Sequence, residues 1–362
     1  MSRGEWHVLS CLLVALYRRL GTSVAPRSQW PKVWSFLRGS PCALGGGASA
    51  LQRAGFWYEA SLLEEPGRLA SAEQLVEQDK VLTIADEGFP RRWLDVLGSA
   101  APPVLYREGP LPVGLSGRRS ASSSRSQGGW VSVVGSRNLS VSEALAAQGC
   151  GAFLAANGSF LVTGGAKGAD ALALHAFARE APGRSVVLLP HGLGQAKHCA
   201  DLGALPDICW LSPYEPTTAF SRAHAMERNA LIYAWSKATV VVAVRHRVGG
   251  TWNGAIDATR RKLTRLGVIE PLGVGGRALV ALGGQALPAL SPAPAGLHFA
   301  DSSLTIAHGS GDDFAPGGIR PEGVWQAFLD APEPVAQPSL FGGSRVREAR
   351  QNYRAEPSYL EG

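Results

Sequence analysis

The sequence predicts an α/β fold built on an extended, doubly wound and mostly parallel sheet, and two consecutive segments carry this prediction. In 130-WVSVVGSRNLSVSEALAAQGCGAFLAANG-158, a short apolar run ends at a glycine turn, and a helix-forming stretch follows. The segment 160-FLVTGGAKGADALALHAFAR-179 repeats this order. Strands that alternate with helices indicate βαβ units, whose strands lie parallel in one sheet.

Two regions are predicted before this core. Residues 1–79 are expected to form a small helical region. Its apolar stretch 8-VLSCLLVALY-17 is followed by Arg18 and Arg19 instead of a small-residue cleavage site, which favours an amphipathic helix over a signal peptide. Residues 80–129 are expected to hold a lead-in strand and a mobile serine-rich loop.

Residues 130–290 are predicted to form the core, and residues 291–362 a tail. The tail is rich in Pro, Ala and Gly, so we expect it to be largely disordered. Within the core, apolar runs predict strands near 131–134, 160–163, 185–189, 208–211, 239–244 and 278–282.

Composition narrows the class of protein. No apolar run approaches twenty residues, so we expect a soluble, cytoplasmic protein without a membrane segment. The cysteines lack C-x-x-C or His/Cys ligand spacing, so we expect reduced thiols, no disulfide framework and no metal. These cysteines are Cys11, Cys42, Cys150, Cys199 and Cys209.

The positive charge is concentrated in one part of the chain. The formal net charge is +6, and residues 216–265 alone hold nine Lys or Arg against two acidic residues. A concentrated basic segment is typical of a protein with a polyanionic partner. The alternative is a solvated helix face, which is our interpretation of Arg260-Arg261-Lys262.

The two glycine turns are the main candidate site. Carboxyl ends of parallel strands meet at one edge of a sheet, where ligands bind. Backbone N–H groups and the positive end of a helix there attract anions, and we expect Arg137 and Lys167 to reach the same anion. The predicted phosphate-binding residues of these turns are Gly135, Ser136, Arg137, Gly164, Gly165, Lys167 and Gly168.

Further residues extend or support this site. Gly249, Gly250 and Thr251 follow another predicted strand and offer a third turn. Arg228 and Asn229 either contact phosphate or tie two loops together, and the sequence favours neither alternative. The supporting residues are Asp170, predicted to brace the glycine turn, His175, which is more typical of a packed residue than of an acid or base, Arg245 and Arg247.

Two cofactor classes are disfavoured by spacing. The turns do not match G-x-G-x-x-G, and no acidic residue ends the second strand to hold a ribose. G-x-x-x-x-G-K-[ST], the phosphate loop of nucleotide triphosphatases, is absent from the sequence. We therefore predict no cofactor.

Several motifs in order resemble the DprA/Smf family of bacterial DNA-processing proteins, which have an extended Rossmann-like core. The resemblance covers about residues 80–265. The chain departs from the family at Ala230, where the third position of R-N-R is basic, and at Gly249, which replaces serine in S-G-x-x-x-T. The matching segments are the lead-in 80–112, VSVVGSR (131–137), TGGAKGADALALHAFA (163–178), VVLLPHGL (186–193) and FSRAHAMERNALIYAWSKATVVVAV (220–244).

This resemblance implies binding without catalysis. The expected partners are single-stranded DNA, bound without sequence specificity, a RecA-type recombinase loaded during natural transformation, and a second copy of the chain in a homodimer. One alternative is a nucleotide-binding or phosphoribohydrolase-type enzyme of the same superfamily, whose motif P-G-G-x-G-T-x-x-E here lacks the glutamate and has Asp257 as a weak substitute. The other is a divergent DNA-sensing paralogue in phage defence.

The tail contains a short motif of its own, 337-QPSLF-341. It resembles the Q-x-x-L-F peptides that dock on the sliding clamp of DNA polymerase. Leu340 and Phe341 would fill an apolar pocket, and Gln337 would bond at its rim. The alternative is a chance match, because only three positions are fixed.

Overall fold

A computed structural model describes residues 3–17, 29–39, 41–112, 115, 129–195, 205, 207–271, 273–290 and 321–332. The serine-rich loop over 116–128 and the clamp motif with Gln337, Leu340 and Phe341 lie outside the described residues. Among the described residues, no helix combines the length and apolar character needed to cross a membrane.

The N-terminal region is helical, as predicted, but its first helix is not amphipathic. Every residue from Leu9 to Tyr17 is buried, because three other helices of this region surround that segment. A helix buried on all sides has apolar residues all round instead of on one face. The helices are α1 (Arg3–Tyr17), α2 (Trp30–Gly39), α3 (Pro41–Arg53), α4 (Trp57–Leu63) and α5 (Arg68–Glu77).

The rest of the described chain alternates strands and helices. A short lead-in comes first, with β1 (Val81–Thr83), α6 (Arg92–Leu97) and β2 (Val104–Glu108). The core follows with β3 (Trp130–Gly135), α7 (Val141–Ala156), β4 (Phe160–Thr163), α8 (Ala169–Glu180), β5 (Ser185–Leu188), β6 (Cys209–Ser212), α9 (Arg222–Trp235), β7 (Ala238–Val242), α10 (Gly249–Arg260), β8 (Arg265–Ile269), α11 (Val274–Ala281), β9 (Gln285–Leu287) and α12 (Pro321–Asp330).

The strands form one sheet in the order β1-β2-β6-β5-β4-β3-β7-β8-β9. At one edge, β1 pairs with β2 and β2 with β6, both antiparallel. All the other neighbouring strands in the sheet, from β6–β5 across to β8–β9, pair parallel. The chain winds outward from β3 to β6 and then returns to place β7 on the other side of β3. This topology confirms the predicted doubly wound, mostly parallel sheet, and its switch point lies between β3 and β7.

Helices cover both faces of the sheet. Val131 and Val133 of β3 belong to one hydrophobic cluster, with α7 and α8, and Val134 belongs to the other, with α9 and α10. This alternation follows from the period of two residues in a strand. The double layer buries both faces and leaves the strand ends as the accessible edges.

The predicted strand at 278–282 is wrong. Residues 274–281 form α11, and the strands β8 and β9 on either side of it were not predicted. Short apolar runs do not distinguish a strand from a buried helix by periodicity, and β9 has only three residues.

The predicted tail also contains a packed helix, α12. Trp325 and Phe328 are fully buried against the sheet, and Trp325 Nε1 donates to the carbonyl of Pro288 at 2.9 Å. Arg265 donates to the carbonyls of Phe328 and Leu329 at the C-terminal end of the helix, where a cation is favourable. Residues 321–332 are therefore part of the folded core.

Candidate functional site

Two turns meet at the carboxyl edge of the sheet. The first turn (residues 135–140) joins β3 to α7, and the second turn (residues 164–168) joins β4 to α8. Gly168 has φ +92°, and a Cβ there would lie 2.6 Å from the carbonyl oxygen of Arg137 and overlap that of Ser136. Only glycine allows this approach. Lys167, the residue before Gly168, is therefore held beside Arg137, and both side chains are exposed.

Asp170 locks the two turns together. Its Oδ1 accepts from Gly135 N and its Oδ2 from Gly164 N, both at 3.1 Å. Burial raises the pKa of Asp170, and the Arg228 guanidinium and the two N–H groups oppose that rise. The bracing role predicted for Asp170 matches these bonds.

Arg228 lies beneath the second turn instead of on the surface. It is 6% exposed, and its Nη1 donates to the carbonyl of Leu188 at the end of β5 at 2.7 Å. A Cβ on Gly164 would overlap this Nη1, so the guanidinium packs directly against the turn. Burial lowers the pKa of Arg228 to about 10, although Asp170 opposes the shift. Of the two alternatives for Arg228, the structure supports tying loops together.

The third turn, at the start of α10, joins the first turn across the switch point. Thr251 Oγ1 donates to the carbonyl of Gly135 at 2.8 Å, and Ser136 N donates to that of Ala243 at 3.0 Å. Asn229 Nδ2 donates to the carbonyl of Gly250 at 3.5 Å, which is a long bond from α9 to this turn. Asn229, like Arg228, connects loops.

The helices that follow the three turns, α7, α8 and α10, differ at their N-termini. α7 is closed by a capping box in which Ser140 Oγ accepts from Glu143 N and Glu143 Oε2 accepts from Ser140 N. At α8, the N–H of Ala169 donates to the carbonyl of Ser136. At α10, within the described chain, no side chain caps the helix, and Gly249 and Gly250 are exposed. Of these three helices, α10 therefore offers the most open N-terminus to an anion.

Four exposed cations lie on the turns at this edge, and we call them the basic edge: Arg137, Lys167, Arg245 and Arg247. A cleft of about 340 Å³ separates the first turn from the loop after β7. Glu143 and Arg245 both line this cleft, so it carries one charge of each sign. Arg137 and Lys167 lie outside this cleft and are exposed, and the surface beside them is our candidate anion site.

Two predicted features lie away from the basic edge. His175 is exposed on α8, about 9 Å along the helix axis from Ala169. Arg260, Arg261 and Lys262 lie at the opposite end of α10, about 18 Å from its start, because the helix runs back between parallel strands. The basic segment 216–265 therefore does not form one continuous groove.

Asp257, the weak substitute for the glutamate in the enzyme alternative, also lies away from the basic edge. Asp257 lies about 12 Å along α10 from Gly249 and pairs with Arg261 at 2.9 Å. It is not at the helix start, where the phosphoribohydrolase motif places its glutamate.

Phe220 is an exposed aromatic residue that the sequence did not single out as a candidate. Phe220 precedes α9 and is 54% exposed, although a phenylalanine ring is more often buried. Tyr214, by contrast, is a core residue, and its hydroxyl donates to Glu227 Oε2 at 3.1 Å. No local pattern distinguishes these two aromatic residues, because their exposure depends on how α9 packs.

Comparison with known proteins identifies relatives of this fold. A family model described as DNA recombination-mediator protein A matches residues 80–264. Among curated proteins, no sequence matches this chain significantly. The structure of DNA processing protein A (DprA) from Streptococcus pneumoniae is similar with a TM-score of 0.54 and 18% identity, covering 79% of this chain and 95% of that chain.

Two further structures are more distant. DNA processing protein A from Helicobacter pylori, described with a unique single-stranded DNA binding mode, has a TM-score of 0.46 and 22% identity, over 57% of this chain and 90% of that chain. A molybdenum cofactor binding protein from Rippkaea orientalis has a TM-score of 0.35 and 18% identity, over 45% and 90% of the two chains. The first of the three similarities supports the fold, and these two are too low to support more.

Proposed function

Because this chain belongs to the DNA recombination-mediator protein A (DprA) family, we propose that it binds single-stranded DNA without sequence specificity at the basic edge. The observation that carries the proposal is the contact of Gly168 with the backbone of Ser136 and Arg137. This contact sets two exposed cations on neighbouring turns, where they can share one stretch of phosphate backbone.

The chemistry of the edge suits phosphate better than a base. Arginine and lysine neutralise phosphates whatever the base sequence. The open N-terminus of α10 adds backbone N–H groups and a partial positive charge on the far side of the switch point. Arg245 and Arg247 lie on the loop that leads into this helix and extend the positive surface toward it.

Phe220 is our candidate for contact with the bases. An exposed aromatic ring stacks on any base, which adds affinity but no sequence preference. Since Phe220 precedes α9, it lies on a loop that follows β6 and opens on the carboxyl side of the sheet.

The proposal extends to the partners that the family implies. We infer that the protein forms a homodimer and hands single-stranded DNA to a RecA-type recombinase in the cytoplasm during natural transformation.

Docking on the sliding clamp through Gln337, Leu340 and Phe341 is a separate proposal. A peptide of residues 333–345 should bind the clamp, and its Leu340→Ala, Phe341→Ala version should not.

The DNA-binding proposal is tested by affinity measurements on single variants. Arg137→Ala and Lys167→Ala should each weaken binding of a labelled oligo-dT, measured by fluorescence anisotropy, without changing thermal stability. Arg260→Ala is the matched control, because this exposed cation lies at the opposite end of α10. Unchanged affinity in both turn variants, or an equal loss in the control, would reject the site.

A further inference from the structure

A second cleft, of about 500 Å³, lies between α2 of the N-terminal region and α6 of the lead-in. Its size is within the roughly 300–1,000 Å³ of small-molecule sites. Its described lining combines an aromatic ring, two aliphatic side chains, two guanidiniums and a carboxylate, and none of them belongs to the basic edge. These residues are Trp34, Arg38, Ala85, Arg91, Leu94 and Asp95.

Direct hydrogen bonds hold the walls of this cleft in place. Trp30 Nε1 of α2 donates to the carbonyl of Ser99 at 3.1 Å, which fixes this helix against the turn after α6. Arg91 Nη1 donates to the carbonyl of Ile84 at 2.8 Å, and its Nη2 donates to that of Asp86 at 2.9 Å. The guanidinium of Arg91 is therefore oriented before a ligand arrives.

The two guanidiniums of the cleft repel each other. Arg38 is exposed and makes no hydrogen bond or ion pair with any described residue. Burial and then the charge of Arg38 lower the pKa of Arg91, whereas Asp86 and Glu87 oppose that shift. An anion bound between the two arginines would relieve this repulsion, and the planar N–H fork of arginine matches a phosphate group.

We propose that this cleft binds a nucleotide, with its phosphate between Arg38 and Arg91 and its base against Trp34. Aromatic rings beside basic side chains are the means by which proteins hold bases and their phosphates. Asp95 favours a nucleotide over an acidic peptide, because its carboxylate repels another carboxylate but accepts from the amino group of a base. The cleft should therefore prefer bases with an exocyclic amino group to thymine.

The nucleotide can come from either of two sources, a free nucleotide in solution or a single strand of DNA. In the second case the cleft adds an anchor point outside the basic edge, and this source rests on the DNA-binding function proposed above. The site could not be predicted from the sequence, because Arg38 and Arg91 are more than fifty residues apart.

The test uses the full chain with Arg137→Ala and Lys167→Ala, so that the basic edge does not contribute. Deoxyadenosine monophosphate is titrated, and binding is followed by saturation-transfer NMR. We expect saturable binding that Arg38→Gln weakens at least about tenfold, because a charge-assisted hydrogen bond is lost. Lys32→Gln is the matched control, since Lys32 is an exposed cation of α2 that does not line the cleft. Absence of saturable binding, or equal affinity in these two variants, would overturn the proposal.

The base is located by one variant and one pair of ligands. Trp34→Leu should weaken binding about fivefold or more, because base stacking is lost, and its melting temperature is measured as well, since Trp34 is partly buried. Deoxycytidine monophosphate should bind more tightly than deoxythymidine monophosphate, a pyrimidine without the amino group. Equal affinity of the two pyrimidines would contradict a base beside Asp95.

The source of the nucleotide is identified with an oligo-dA in the same background. Tighter binding than the mononucleotide, reduced by Arg38→Gln, would identify a single strand, and equal binding would identify a free nucleotide. An acidic peptide that binds and is lost in Arg38→Gln, when no nucleotide binds, would assign the cleft to a protein partner and overturn the proposal. The basic edge is tested separately with oligo-dT and variants of Arg137 and Lys167, so either proposal can fail without the other.

Discussion

Asp170 is the residue on which the geometry of the candidate site depends most. Its carboxylate accepts backbone N–H groups from Gly135 and Gly164, and its charge compensates the buried Arg228. A buried N–H group that loses its acceptor is costly, because it has given up its hydrogen bond to water without a replacement.

We therefore expect Asp170→Asn to lower the free energy of unfolding by about 1–3 kcal/mol, measured by urea denaturation, because the amide nitrogen cannot accept the second N–H group. Asp257→Asn is the comparison, since its pair with Arg261 is half-exposed and should contribute less than about 1 kcal/mol. If both variants lose the same small amount, Asp170 does not hold the turns.

Gly168 is the second residue that the site requires. We expect Gly168→Ala to destabilise the protein and to weaken single-stranded DNA binding, because a Cβ would push the second turn away from Arg137. Gly183→Ala is the control that separates the steric effect from backbone strain. Gly183 also has a positive φ, but a Cβ added there would lie 3.8 Å from the nearest atom, in Asp207, and would meet no clash. That control should cost about 1–2 kcal/mol and leave DNA affinity unchanged. Equal DNA affinity in the two variants would contradict the role of the close contact.

At the scale of elements, the helices that begin at the carboxyl edge have different roles. α7 satisfies its own N-terminus with Ser140 and Glu143, whereas α10 has no side-chain cap in the described structure. Ser140→Ala should therefore lower stability by about 1 kcal/mol and leave DNA affinity as it was. Thermal melting and an anisotropy titration on the same preparation check this. A loss of affinity without a loss of stability would place phosphate at α7.

The elements also show which parts of the structure the sequence could predict. The turns after β3 and β4 are local patterns of an apolar run, glycine and a helix former, and β4 has the predicted bounds, 160–163. The burial of Arg228 depends on how α9 crosses the sheet, and no local pattern encodes that. α12 was missed for a similar reason, because Trp325 packs against Phe153 of α7 and Phe328 against Arg265 of β8, across a long segment of Pro, Ala and Gly.

At the scale of the whole molecule, the sheet brings separate loops to one edge. The switch point between β3 and β7 places the first turn beside the start of α10, and parallel pairing of β3 with β4 places it beside the second turn. Arg260, Arg261 and Lys262 lie at the far end of α10 and do not belong to this surface. The binding surface is therefore shorter than the basic segment 216–265 suggests.

Because the turns lie close together at one edge of the sheet, we expect the protein to prefer single-stranded to duplex DNA. A flexible single strand can bend between closely spaced turns, whereas a stiff duplex cannot follow them. In competition anisotropy at one salt concentration, unlabelled single-stranded oligonucleotide should displace the probe at lower concentration than blunt duplex of the same length. Duplex that competes equally well or better would contradict the preference.

The most direct test of the central claim is the salt dependence of single-stranded DNA affinity in the variant Arg137→Ala, Lys167→Ala. Each phosphate contact contributes about 0.7 to the slope of log K against log salt for a single strand. If both residues contact phosphate, the slope should be shallower by about 1.4 in the double variant and unchanged in Arg260→Ala. A double variant with the wild-type slope would show that DNA binds elsewhere on the protein.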